Sequence, residues 1–139
     1  MRALYRLILG LGVVLALAVS VGALGAGAVT SKGIVAVSLD EFNILPAAQG
    51  APRGTVVFVV KNSGKLEHEF VVPKTVKPAG SLTSHGGEAS EAGNIGELAS
   101  VKPGQTKKLT LKLTAGHYSL LCNLPGHYKA GQFADFYVR

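Results

Sequence analysis

From Gly33 to Arg139 the chain is a succession of short stretches rich in Val, Ile, Leu, Thr and Phe, broken by Gly, Pro, Asn and Ser, with no helical apolar period. That pattern confines the fold to packed strands. Residues 33–39 alternate Ile34, Ala36 and Ser38 with Val35, Val37 and Leu39, and residues 55–61 form a near-continuous Val and Phe run suited to an inner strand. Asn62-Ser63-Gly64 signals a turn, after which residues 67–72 read as a strand that Pro73 stops. A short strand is expected over 95–98. Residues 106–114 place Leu109, Leu111 and Leu113 on one face and Thr110, Lys112 and Thr114 on the other, as a half-buried antiparallel strand requires. Residues 117–122 and 132–138 supply two more. About seven strands at this spacing predict an all-β, two-sheet Greek-key sandwich. The small, polar stretch 76–94 is expected as a mobile surface loop, and residues 42–52 as an irregular connection.

The 139 residues suffice for one domain with a proper core, and so for one site. Residues 1–28 carry Arg2 and Arg6, then an uncharged apolar run over 7–24, then Ala26-Gly27-Ala28. This is the three-part pattern of a secretory signal with an Ala-x-Ala cleavage site, although the run is long enough to serve instead as an uncleaved membrane anchor. In either case the arginines favour a cytoplasmic N-terminus, and residues 29–139 form the working domain outside the plasma membrane, in the periplasm or on the outer face. The membrane then enters only through the N-terminal segment, if that is retained.

Without Arg2 and Arg6 the basic residues number 12 of the original 14, against 8 acidic ones, a net charge of about +4 rather than +6. The lysines are scattered from Lys32 to Lys129, which speaks against nucleic-acid binding and leaves an acidic protein or anionic lipid surface as a partner. Cysteine usage is more informative. A lone Cys122 in an oxidising compartment must pair between molecules, lie inert and buried, or be chemically employed.

Its neighbours favour employment. In Cys122-Asn123-Leu124-Pro125-Gly126-His127-Tyr128-Lys129-Ala130-Gly131-Gln132, four residues separate Cys122 from His127 and four more separate His127 from Gln132. Cys122 ends one expected strand, His127 lies in the loop and Gln132 opens the next strand, so three donors hang from one hairpin. His68, early in the third expected strand, is the fourth. Two imidazoles and a thiolate with a weak axial Met or Gln make up a trigonal blue-copper site, and these ligands suit both Cu(I) and Cu(II). A structural zinc site would more often reach four strong ligands, and only three are present.

The stretch CNLPGHYKAGQ resembles the metal loop of cupredoxins, and NSGKLEHEFVV resembles the strand that carries their first histidine. With VKPGQTKKLTLKL and the closing FADFYV, the resemblance spans most of residues 33–139. It implies a copper-binding Greek-key sandwich that transfers electrons to transient protein redox partners, acidic or membrane-bound. It further implies His68, Cys122 and His127 as equatorial ligands and Gln132 as the axial one. Two positions depart from the commoner family pattern. Gln132 stands where many cupredoxins have Met, as in stellacyanin-like proteins, but one cysteine cannot form the disulfide those proteins carry. Glu69 follows His68 where plastocyanin and azurin have Asn, leaving Asn43, Asn62 and Asn123 to hold the site together.

His85 and His117 read as surface residues, and Tyr118 as core. Three functions compete on this sequence: outer-sphere electron transfer through a His127 edge set in an apolar patch of Leu124, Pro125 and Tyr128; copper carriage or storage in the cell envelope through the same ligands; and an enzyme with Cys122 as nucleophile. The enzyme is disfavoured, because no orienting third group or oxyanion-hole motif accompanies Cys122 and His127.

Overall fold

Alternation of β-branched and aromatic residues with polar ones gives each strand one face to bury, and two sheets facing each other bury both. The computed structural model describes residues 33–139, so the expected leader or anchor over residues 1–28 lies outside the described residues. The elements are β1 (Ile34–Asp40), β2 (Asn43–Pro46), β3 (Gly50–Ala51), β4 (Gly54–Asn62), β5 (His68–Pro73), a 3-10 turn (Ala79–Ser81), β6 (Ser84–His85), β7 (Glu88–Ala89), β8 (Asn94–Val101), β9 (Thr106–Leu113), β10 (Gly116–Leu121) and β11 (Phe133–Val138). One sheet has the order β2-β1-β4-β9, the other β3-β11-β10-β5-β8, and β6 and β7 form a separate small hairpin. The pairing is mixed: β1 runs parallel to β4 and β3 parallel to β11, whereas β4–β9, β10–β11, β5–β10 and β5–β8 are antiparallel.

Alternate residues fill the space between the sheets. Val35, Val37 and Leu39 of β1 and Val56, Phe58 and Val60 of β4 meet Phe70 and Val72 of β5, Tyr118 and Leu120 of β10 and Phe136 of β11. The Phe58 ring lies 5.4 Å from Phe70 and 5.3 Å from Phe136, centroid to centroid, in tilted and edge-on contacts that favour their quadrupoles. Burying each such side chain contributes about 1.5–3 kcal/mol. Among the described residues no helix is long and apolar enough to cross a membrane.

Where the sequence reading and the structure differ, the cause is partnership. Residues 42–52 hold two short edge strands, β2 and β3, which pair with β1 and β11 and carry too few residues to show a period of their own. Strand β8 runs eight residues, beyond the expected 95–98, because β5 supplies its ladder. The stretch 76–94 folds over the outer face of the second sheet, where Ala89 joins Val71, Leu121 and Tyr128 in a small second core. Buried Tyr128 pins it there, donating its hydroxyl to the Ala79 carbonyl at 2.7 Å and accepting the Leu82 N–H at 3.0 Å.

Both crossings between the sheets at one end of the sandwich converge on a buried amide, Asn62. Its Nδ2 donates to the carbonyls of Leu66 and Val101, each at 2.7 Å, and its Oδ1 accepts the Gly64 N–H at 2.9 Å. Its backbone donates to the Gln105 carbonyl and accepts from the Gly104 N–H. The turn from β4 to β5 and the turn from β8 to β9 are thereby tied to one residue. Asn62→Ala strands two carbonyls and should cost about 1–3 kcal/mol for the buried one alone. The expected result in urea is a lower midpoint at unchanged slope, and an unshifted midpoint would show that the turns hold without the amide.

Candidate metal centre

The tied end of the sandwich is where the donors assemble. β5 starts at His68, whose side chain follows the inward alternation of Phe70 and Val72 and is fully buried. β10 lies beside β5, with Leu121 opposite Val71, so Cys122, one residue past the strand, comes level with the start of β5. The loop then closes on itself: the Cys122 N–H donates to the Gln132 carbonyl, the Gln132 N–H to the His127 carbonyl, and the His127 N–H to the Leu124 carbonyl. Gly126 and Gly131 take φ of 84° and 104°, left-handed conformations that glycine adopts without strain, and they allow the tight return.

Ligand-capable atoms of His68, Cys122 and His127 lie within 4.8 Å of one another, the one such group of His, Cys, Asp or Glu side chains among the described residues. His127 Nδ1 is 3.3 Å from Cys122 Sγ, 3.3 Å from His68 Nδ1 and 3.0 Å from Gln132 Oε1. Gln132 is fully buried, and its amide has a defined orientation: Nε2 donates to the Asp40 carbonyl at 2.8 Å and lies 3.0 Å from His68 Nδ1, while Oε1 faces His127 Nδ1. The structure thus brings together all four side chains that the sequence singled out. Two imidazole nitrogens, a thiol sulfur and an amide oxygen form a donor set that suits copper in either oxidation state.

The surroundings are uneven in charge. Burial pushes the Cys122 thiol up, although the Glu69 N–H pointing at Sγ, 3.2 Å away, and the Leu124 amide oppose this. Burial, and then the neighbouring His68, pushes His127 below the ordinary imidazole range. The His127 ring is thereby favoured in its neutral form, the form that binds a metal. Glu41 lies beyond His68, its carboxylate 3.3 Å from His68 Nε2 and accepting the N–H groups of Lys65 and Leu66 at 2.7 Å each. Those amides, Leu66 foremost, hold it below the usual carboxylate range.

Of the three asparagines expected to hold the site, Asn62 anchors the turn leading to His68, and Asn123 binds the covering segment through the Ala89 N–H, the Ala89 carbonyl and Glu91. Asn43 bonds only to Asp40 with its side chain. Tyr128, expected at the surface beside His127, is buried beneath the 3-10 turn instead, and Phe42 takes its place in an edge-on contact with the His127 ring, 5.0 Å between centroids. His85 is exposed, whereas His117 is half-buried between Asp135, at 2.8 Å, and the Thr75 carbonyl, at 2.9 Å. Sequence reasoning missed Glu41, which precedes its histidine by 27 residues and looks like any solvated carboxylate next to Asp40.

No family model matches the chain. The copper-resistant cuproprotein CopI of Rubrivivax gelatinosus is 31% identical over 124 residues, which cover 83% of this chain and 71% of that protein. The chain belongs to the CopI family. The Vibrio cholerae CopI is 33% identical over 81 residues, covering 58% of this chain and 48% of its own length, so the chain spans about half of that CopI protein. Among solved structures, auracyanin from Roseiflexus castenholzii superposes with a TM-score of 0.58 at 21% identity, covering 78% of this chain and 98% of auracyanin. That likeness is one of fold, and the fold is the cupredoxin sandwich.

Glu69 generates a pH dependence for this CopI-family chain. Burial first, then the charges of Glu91, Glu97 and Glu88, raise its carboxyl from 4.5 to about 7. Between those two values the folded chain keeps a proton that the unfolded chain has lost. The contribution of Glu69 to stability is therefore greatest in acid and is lost as pH rises through the window. His127, with its lowered value, acts in the opposite sense just below its ordinary range. The difference between the unmodified chain and Glu69→Gln isolates the glutamate: metal-free, the variant should gain relative stability steadily from about pH 5 to 7 in chemical denaturation. A constant difference would show that Glu69 titrates normally.

Proposed function

We propose that the chain is an exported, mononuclear copper protein that passes single electrons between redox partners. His68, Cys122 and His127 are its strong ligands, and Gln132 is its axial one. The observation that carries this reading is the convergence of His68 Nδ1, Cys122 Sγ, His127 Nδ1 and Gln132 Oε1 at one end of a rigid sandwich. Copper, when bound, supplies a one-electron couple; everything else falls to the chain. The two sheets fix His68 and the hairpin, so the donors keep their places as the charge at the centre changes. His68, Cys122 and Gln132 are fully buried, which keeps bulk water off their side chains. His127 is only part-buried, and it sits among Phe42, Leu124 and the exposed Pro125, a small apolar rim suited to brief contact. The partners fitting a domain with a net basic charge are acidic or membrane-bound proteins, and the working compartment is the periplasm or the outer face of the plasma membrane.

A second reading is favoured by the relatives, which are named for copper resistance. In it the same ligands sequester or carry copper, and the site need not exchange electrons. The readings part on kinetics. An electron carrier holds its ion against a chelator while exchanging electrons rapidly, whereas a carrier of copper surrenders the ion.

Loading the chain with Cu(II) should give an intense thiolate-to-copper band that is absent in Cys122→Ser. A weakly absorbing protein would remove the ligand assignment. In a loaded chain, His127→Gly should slow electron exchange with its copper retained, and undiminished exchange would move the exit route elsewhere. Gln132→Met should raise the reduction potential, because an amide oxygen is a harder donor than a thioether and favours Cu(II). Equal potentials in voltammetry would exclude Gln132 from the axial position.

A further inference from the structure

Among the described residues, Glu41 is the one carboxylate within 4 Å of a nitrogen of the clustered histidines. Three features show that the contact is built rather than incidental. The carboxylate is fixed by two amides of the turn ahead of β5, Lys65 and Leu66, each donating at 2.7 Å, so it cannot swing freely into solvent. Its side chain is only 27% exposed although it belongs to a surface turn. Gly64 makes the room: a Cβ at that position would collide with the carboxylate itself. The ring it meets has two nitrogens with different neighbours. His68 Nε2 faces Glu41, whereas Nδ1 faces Gln132 and His127.

A carboxylate accepts but cannot donate, so the proton of a neutral His68 ring belongs on Nε2, leaving the Nδ1 lone pair facing the cluster. Metal-ligating histidines are commonly oriented in this way, with a gain in ligand basicity. On the reading that this cluster holds copper, we propose that Glu41 is a positioning residue of the centre, which fixes the Nε2–H tautomer of His68 and places a negative charge behind the ring that favours the oxidised over the reduced ion. The charge acts on the imidazole from 3.3 Å, well inside the screening length of physiological salt.

The test uses the full chain, Glu41→Gln, and Gly64→Ala. Glutamine still offers an oxygen to Lys65, Leu66 and His68 Nε2, so fold and tautomer should persist while the charge is lost. Voltammetry of the copper-loaded chains should then show the potential rising in Glu41→Gln; a tenfold loss of preference for the oxidised ion corresponds to about 59 mV for a one-electron couple. Gly64→Ala keeps the net charge and displaces the carboxylate, so its potential should rise as well. An unmoved potential in Glu41→Gln, or a rise there with none in Gly64→Ala, would overturn the proposal, the latter by reducing the effect to bulk charge. Nitrogen NMR of the metal-free chain tests the pairing without copper: His68 should be in the Nε2–H form, and a proton on Nδ1 would overturn the pairing. Should the unmodified chain lack the thiolate-to-copper band, the copper reading fails on that spectrum, and the tautomer still decides the role of Glu41.

Discussion

A single buried amide bears the connection between the sheets at the end where the donors meet. Asn62 closes β4 and receives the two chain segments that cross there, one leading into β5 and one leaving β8. An unpartnered amide in such a place would be expensive to bury, and each of its polar groups is matched. His68 begins directly after the segment so tied, opposite Val101, whose carbonyl Asn62 also holds. The position of the first histidine is therefore inherited from a residue that touches none of the donor atoms. Glu41 reinforces the same segment from the other side through Lys65 and Leu66.

The hairpin that carries Cys122, His127 and Gln132 is the complement of this arrangement. Six residue pairs join β10 to β11, so the loop between them is anchored at both ends. A closed chain of backbone hydrogen bonds inside the loop leaves the side chains little freedom of approach. The contact between the two halves of the donor set, far apart in sequence, is then a matter of strand adjacency. β5 and β10 lie side by side, and inward alternation does the rest.

That adjacency explains why so much was legible in the sequence. Period-two alternation in residues 33–39 and 106–114 marks strands because one face of each is buried, and the spacing from Cys122 to His127 to Gln132 belongs to one continuous hairpin. What escaped detection depends on partners distant in the chain. β2 and β3 exist because β1 and β11 offer them an edge. The segment over 76–94 has the composition of a loose loop, yet Tyr128 and Asn123, some 30 to 50 residues later, give it fixed hydrogen-bond partners. Glu41 and His117 lie beyond local pattern for the same reason, since neither Asp135 nor His68 is near them in sequence.

Strand β9 has a hydrogen-bonded neighbour on one side only, β4, which leaves its other backbone edge at the border of the sheet. An open edge is a template onto which another chain can add a strand. Three of the eight residues of β9 are lysines, Lys107, Lys108 and Lys112, and Lys107 also donates to the Ser100 carbonyl of β8 across the border. Two copies meeting edge to edge would bring these like charges together. The sandwich thus sets a row of like charges along this regular border, where they oppose edge-to-edge self-assembly.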